Sequence, residues 1–451
     1  MITELDSLLG GTDSVPAALL IRRAHLLDPR AGLDGPGDLL VRDGAVAEIG
    51  APGALEAPAH AEIVEAEGLH AFPAFVDPHV HLRTPGREDE EDIETGTRSA
   101  AAGGYGAILA MPNTDPVVDS ASVLGSLRER ARAEARIPTG FTAAVTMGQR
   151  GEQLTEMAEL AQAGAAGFTD DGLPLRSAGV MRQALAYQRL AGRCIALHEE
   201  DPALSGDGVM HEGDVSALLG VAGIPSVSES TMVARDTQLA AYEDGFIHVQ
   251  HVSARRTVEV LERARAAGVR VTAEATPHHL LLTHECVRGL DTHYKMNPPL
   301  RSEDDRQALI EGLRSGVLGC IATDHAPHAR EEKEEPFEIA PMGVTGLESA
   351  FAAVHTDLVV PGVLALGLVI ERMTAGGEPF GLAIPTLAKG APASVCLVDL
   401  AAEWEVGESG YESRSSNCAF SGRRLVGRVR MTIAAGAVAF RERSFAIGAV
   451  A

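Results

Sequence analysis

The chain has 451 residues, 45% of them apolar, and a formal charge of −25 at pH 7. That length and composition can bury a sizeable core, while the acidic balance excludes an extended nucleic-acid or anionic-membrane surface. No uninterrupted apolar run reaches the roughly 18 residues of a membrane span, and the start MITELDSLLGGTDSVP lacks the basic and apolar regions of a signal peptide. The sequence therefore reads as a soluble cytoplasmic protein. Its five cysteines form no CxxC pair and read as free thiols. Only three of the 38 basic residues are lysines, Lys295, Lys333 and Lys389.

Residues 1–16 are polar and Gly-rich and read as a flexible extension. From residue 17 to 71, AALLIRRAHLLDP, GDLLVRDGAVAEIG and AEIVEAEGLHAFP read as short strands punctuated by turns. Residues 386–451 read the same way, in ASVCLVDL and RRLVGRVRMTIAAGAVAF. Between them, residues 72–385 alternate short apolar strands with amphipathic helices: GAILAM before DSASVLGSLRERARAEAR, AAGFTD before SAGVMRQALAYQRLAG, FIHVQH before ARRTVEVLERARAAG. Such alternation implies parallel βαβ units in an α/β protein. About 250–300 residues of them fit a closed (β/α)8 TIM barrel with its active site at the C-terminal strand ends. A doubly wound open sheet is the alternative, but no GxGxxG opens a helix after the first strand, so dinucleotide binding has no support.

Polar residues stand where the apolar runs stop. AFPAFVDPHVH ends in His79 and His81, AAGFTDDG in Asp170 and Asp171, CIALHEED in His198, FIHVQHVS in His251, and GCIATDHAPH in Asp324. His79 and His81 are alternate residues and so share one strand face. A lone histidine is more often structural; HxH at a strand end with matching groups on further strand ends is metal-ligand chemistry. Four imidazoles and at least two carboxylates exceed one tetrahedral zinc and suit two ions sharing a bridging carboxylate, with a hydroxide held between them. Arg83, two residues past His81, is expected to follow the strand alternation into the same cavity, where its planar fork suits a carboxylate. Asn113 and Asn297 sit in Pro-containing loops and could equally cap turns.

These residues resemble those of bacterial class I dihydroorotases of the amidohydrolase superfamily, through PAFVDPHVHLRTPG, AILAMPNTDPV, GFTDDG, MHEG, HVSA, VTAEATPHHLLLT, YKMNPPLRS and IATDHAPHAREEK. The likeness runs over nearly all of the chain beyond residue 16. It implies a barrel with a small β-sandwich domain made by both chain ends. It implies two zinc ions per subunit, one on His79, His81 and Asp324 and one on His198 and His251, bridged by Asp171 and a hydroxide. Asp324 is the implied proton carrier. Arg83, Asn113 and His328, beside His81, are the implied contacts to the substrate carboxylate; Asn297 and the Met342-Gly343 backbone are those to the ring amides.

Many superfamily relatives bridge their metals with a carboxylated lysine, and here no lysine precedes Lys295. An aspartate must serve instead. Neighbours on an extended segment point oppositely, so one of Asp170 and Asp171 reaches the metals, and the family pattern favours Asp171. The implied reaction interconverts N-carbamoyl-L-aspartate with L-dihydroorotate and water in pyrimidine (UMP) synthesis. Its partner is a small-molecule substrate, with a homodimer and association with aspartate transcarbamoylase left open, and no nucleic acid or membrane. The segment from His328 to Gly343 reads either as a solvated loop or as a mobile lid over substrate.

Overall fold

The computed structural model describes residues 8–10, 17–443 and 445. Strands from both ends of the chain pair into one eight-stranded sheet. Leu19–Asp28, Leu33–Arg42, Ala45–Gly50, Glu62–Glu65 and His70–Pro73 come from the N-terminal side, and Val395–Glu405, Arg424–Ala434 and Ala437–Arg441 from the C-terminal side. The two groups join where His70–Pro73 lies antiparallel to Val395–Glu405, with Phe72 opposite Cys396. Alternate side chains face opposite ways on a strand, and each face finds a different apolar layer. Ala71, Val395 and Leu397 pack with Leu19, Ile21 and Ile433, whereas Phe72, Cys396 and Val398 join the main core of the molecule. The boundary expected between residues 71 and 72 thus falls within a strand whose two faces belong to different cores.

The remaining strands pair in parallel, each followed by a helical excursion, and their apolar sequences reflect burial on both faces. Phe75–Val80, Tyr105–Ala110 and Thr139–Phe141 form one run of pairs. Ile195–Leu197, Ile247–Val249, Val271–Ala275 and Cys320–Ile321 form another. Single-residue bridges link the two runs at both ends: Phe168 pairs with Ala143 and Ile195, and His325 with Val80. The helices expected from periodicity form at Ala121–Glu134, Ala178–Ala191 and Arg255–Ala266. Strands are shorter than the apolar runs that announce them. AAGFTD contributes a single bridging residue, Phe168, and GCIATDHA a two-residue strand.

Of the expected flexible extension, residues 1–7 and 11–16 lie outside the described residues. Leu9 pairs with Thr139 through two backbone bonds of 2.8 and 2.7 Å. All five cysteines are free. Among the described residues no helix is long and apolar enough to cross a membrane.

Candidate active site

His79 lies in Phe75–Val80, and His81 follows it, its N–H bonded to the His325 carbonyl at 2.9 Å. His198 comes directly after Ile195–Leu197, His251 two residues after Ile247–Val249, and Asp324 three after Cys320–Ile321. His251 and Asp324 adopt left-handed φ of 32° and 49°. For residues with a Cβ this region is sparsely populated and is retained where surrounding contacts hold it.

The six side chains converge. His79 Nε2 stands 3.3 Å from Asp171 Oδ1 and 3.4 Å from Asp324 Oδ1. His81 Nε2 is 3.4 Å from Asp171 Oδ2 and 3.2 Å from Asp324 Oδ1. His251 Nε2 is 3.7 Å from Asp171 Oδ1 and 3.0 Å from His198 Nδ1. All six are buried. Three overlapping triplets could each hold an ion: His79, His81 and Asp171; His79, His251 and Asp324; Asp171, His198 and His251. His79 Nε2 and Asp171 Oδ1 are buried without a hydrogen-bond partner. Unpaired buried polar atoms are costly, and a divalent cation is the partner this nitrogen and oxygen donor set fits.

The electrostatics agree with that fit. Burial opposes charge on Asp171, yet His79 and the other imidazoles hold it well below the usual carboxylate range. Burial likewise opposes a proton on His79, but Asp171, Asp324 and Glu274 raise its pKa well above the ordinary value. Asp324 is held low against its own burial by His79 and His81. The lone pairs that take protons here are those a dication would take.

Asp170 points elsewhere. Its Oδ1 accepts from the N–H groups of Val145 and Thr146 at 2.8 and 3.0 Å, and its Oδ2 accepts from the Thr146 hydroxyl.

Arg83 reaches the site by a different route from the one its spacing suggests. The strand stops at Val80 and Arg83 takes a left-handed φ of 52°. Its orientation is set by the Pro327 carbonyl at 3.0 Å and Glu90 at 3.2 Å, and Nη2 comes within 3.3 Å of His328 Nε2. Asn113 accepts from His81 Nδ1 at 2.9 Å. The loops carrying Arg83 and Asn113 touch at Gly86, where φ is +108° and an added Cβ would lie 2.4 Å from the Asp115 carbonyl.

Asn297 sits at the other end, its Nδ2 donating to Glu200 at 2.7 Å and lying 3.4 Å from His198 Nε2. His328 contacts the Met342 carbonyl at 2.9 Å. Gly343 donates its N–H to the Lys295 carbonyl at 2.9 Å. Its φ of +130°, with an added Cβ 2.8 Å from Ala326 Cβ and 3.0 Å from His328 Nε2, explains the glycine. The segment read as a loop or lid contains a short helix, Arg330–Lys333.

Several residues of the site are missed by sequence reasoning. Glu274, fully buried in Val271–Ala275, accepts from His79 Nδ1 at 2.7 Å and His248 Nε2 at 2.9 Å. A carboxylate behind a ligating imidazole fixes its tautomer and orientation, and a lone Glu in the apolar run VTAEAT is the signal that could have found it. Asp77 accepts from His79 N–H at 3.0 Å and the Thr323 hydroxyl at 2.6 Å, tying the segments of His79 and Asp324 together. Glu90 pairs with Arg83, Arg87 and His328. A separate cleft of about 840 Å³, lined by Arg98, Trp404, Tyr411 and Arg428, holds paired cations, Arg98 with Glu412 and Arg428 with Glu408.

Residues 69–257 match a family model described as dihydro-orotase-like. The chain is 44% identical to a dihydroorotase from Anaeromyxobacter dehalogenans, with 94% of this chain and 98% of that protein covered. It is 43% identical to a dihydroorotase from Syntrophotalea carbinolica, with 94% and 99% covered. Among solved structures, an L-hydantoinase (dihydropyrimidinase) from Arthrobacter aurescens superposes with a TM-score of 0.83 at 25% identity, over 94% of this chain and 96% of that one. A dihydropyrimidinase from Brevibacillus agri, at 23% identity and a TM-score of 0.81, shares the fold over 95% of this chain and 96% of that one. Near-full-length identity of this order, together with the convergent His and Asp side chains, means that the chain belongs to the dihydroorotase family.

Proposed function

We propose that this protein interconverts N-carbamoyl-L-aspartate with L-dihydroorotate and water, on two zinc ions, in de novo pyrimidine synthesis. The observation that carries this reading is the convergence of His79, His81, Asp171, His198, His251 and Asp324, each with a nitrogen or oxygen within 3.7 Å of another of the six, beside Asn113 on His81 and Arg83 on His328. The ring of parallel pairings is read as a (β/α)8 barrel, with the site at its C-terminal strand ends, and the sheet of both chain ends as the small sandwich domain. His79, His81 and Asp324 would hold one ion, His198 and His251 the other, and Asp171 both. Bound there, the ions would lower the pKa of water and polarise a carbonyl oxygen.

The chain's own residues do the rest. Arg83 and Asn113 bind the substrate carboxylate, the guanidinium offsetting the acidic charge of the protein. Asn297 and the Met342-Gly343 wall flank the ring. In the hydrolytic direction water adds to the ring amide carbonyl and the C–N bond breaks. Asp324, ionised at neutral pH, takes the proton from the attacking water and passes it to the departing nitrogen. Ring closure runs the same transfers backwards. A homodimer and docking to an aspartate transcarbamoylase remain part of the proposal, to be read by sedimentation of the chain alone and in mixture.

The test is ring opening of dihydroorotate and hydantoin side by side, with zinc content, in the wild type and Asp324→Asn. The expected result is turnover of dihydroorotate by the wild type and its loss in Asp324→Asn with zinc retained. Turnover of hydantoin alone refutes the substrate, and full activity in Asp324→Asn refutes the proton carrier.

A further inference from the structure

Lys333 is buried and, among the described residues, makes no ion pair. Its Nζ donates to the carbonyls of Pro341 and Gly343 at 3.0 Å and approaches that of Lys295 at 3.4 Å. Lys295, also buried, donates to the carbonyls of Ala340 at 2.6 Å and Glu338 at 3.2 Å and lies 5.4 Å from the centre of the Phe337 ring. The Lys295 carbonyl in turn accepts the Gly343 N–H at 2.9 Å. Asn417 completes the brace, donating to Ala326 and Gly343 and accepting the His328 N–H.

A chain that otherwise places arginine at its cationic positions has spent two of its three lysines here. The geometry gives the reason. A compact ammonium aims three rotatable donors from one atom at carbonyls that converge on a point, whereas a guanidinium spreads its donors over a fixed plane. The carbonyls gripped by Lys333 flank Met342, whose own carbonyl meets His328, which in turn meets Arg83. Lys295 lies two residues before Asn297, which contacts Glu200 and His198. The two lysines therefore join the opposite walls of the proposed substrate site.

We infer that Lys333 and Lys295 are positioning residues: they cross-brace the Met342-Gly343 wall against the Asn297 loop, so that this segment is a fixed template for substrate rather than a lid. The inference rests on the proposed function for its kinetic part only. Contacts that hold substrate equally in the ground and transition states raise KM when they weaken and leave kcat unchanged, and the Met342-Gly343 wall is remote from the proton transfers at Asp324 in this sense.

The experiment compares Lys333→Met and Lys295→Met with the exposed control Lys389→Met, all zinc-loaded. It measures kcat and KM for dihydroorotate, zinc content, and amide hydrogen exchange over residues 338–344. The expected result is KM raised about tenfold with kcat within about threefold and zinc unchanged, faster exchange over 338–344, and a control like the wild type. Unchanged KM and exchange in either brace variant overturns the inference, as does a fall in kcat that tracks lost zinc. Should Lys333→Met not accumulate as folded protein, Lys295→Met decides by the same readings. If the wild type itself fails to turn over dihydroorotate, the proposed function falls. The brace is then judged on exchange alone, faster exchange upholding it and unchanged exchange overturning it.

Discussion

Replacing Glu274 by Gln separates the shape behind His79 from the charge there. Glu274 Oε1 accepts from His79 Nδ1 at 2.7 Å and from the His251 N–H at 3.2 Å, while Oε2 accepts from His248 Nε2 at 2.9 Å. An amide oxygen left on the His79 side keeps the first two bonds. The amide N–H groups then face His248, which can move its proton to Nδ1, where Thr272 Oγ1 lies at 2.8 Å and can accept it. The isostere therefore fits and still fixes the His79 tautomer, and what disappears is the negative charge that raises the basicity of His79 Nε2. Loss of such an outer carboxylate costs about 10- to 100-fold in metal affinity, or about 1.4–2.7 kcal/mol. Glu274→Ala in addition strands two buried donors, the His79 Nδ1–H and the His251 N–H, at about 1–3 kcal/mol each, and so attacks the fold itself. The assay is competition for zinc between protein and a chelator, read by elemental analysis, with thermal unfolding of the metal-free proteins. Glu274→Gln should release zinc at about 10- to 100-fold lower chelator activity and unfold close to the wild type, while Glu274→Ala unfolds well below it. Wild-type zinc affinity in Glu274→Gln would refute the role assigned to the carboxylate.

Four further outcomes are expected. Asp170→Asn should retain zinc and Asp171→Asn should lose it, because only Asp171 faces the imidazoles; a metal count on both variants decides. Arg83→Met should raise KM for dihydroorotate by about 10- to 150-fold, the equivalent of one charge-assisted hydrogen bond, with zinc unchanged, since Arg87 remains within 3.1 Å to pair Glu90. Gly343→Ala should lower stability by about 1–3 kcal/mol in denaturant unfolding, given its φ of +130° and the crowding of Ala326 and His328. Burial raises the Glu348 pKa from 4.5 to about 7, against bonds from Ser99, Glu412 and Ser413. Its folded form therefore binds the proton more tightly than its unfolded form. The wild type should accordingly lose stability relative to Glu348→Gln as pH rises from about 4.5 to about 7 and run parallel to it outside that window; parallel curves within the window would contradict this.

What the sequence determined by itself was whatever a short window encodes. Apolar runs alternating with amphipathic stretches located the helices at Ala121–Glu134, Ala178–Ala191 and Arg255–Ala266. A strand's period of two placed His79 and His81 on one face and set Asp171 apart from Asp170. The polar residue at the end of each apolar run marked a member of the buried cluster, as His79, His81, Asp171, His198, His251 and Asp324 show. Tertiary structure decided whatever depends on contacts between distant segments. Glu274 stands 195 residues from His79, and nothing in VTAEAT names its partner. Arg83 owes its place to a left-handed turn and to Pro327, 244 residues away, where alternation beyond the strand end has no force. The segment from His328 to Gly343 looks like a free loop because its charges dominate its composition. It is held by backbone carbonyls meeting two lysines and by Asn417 from the far end of the chain. Backbone carbonyls are the same at every residue, so no pattern of side chains announces which of them a buried ammonium will find.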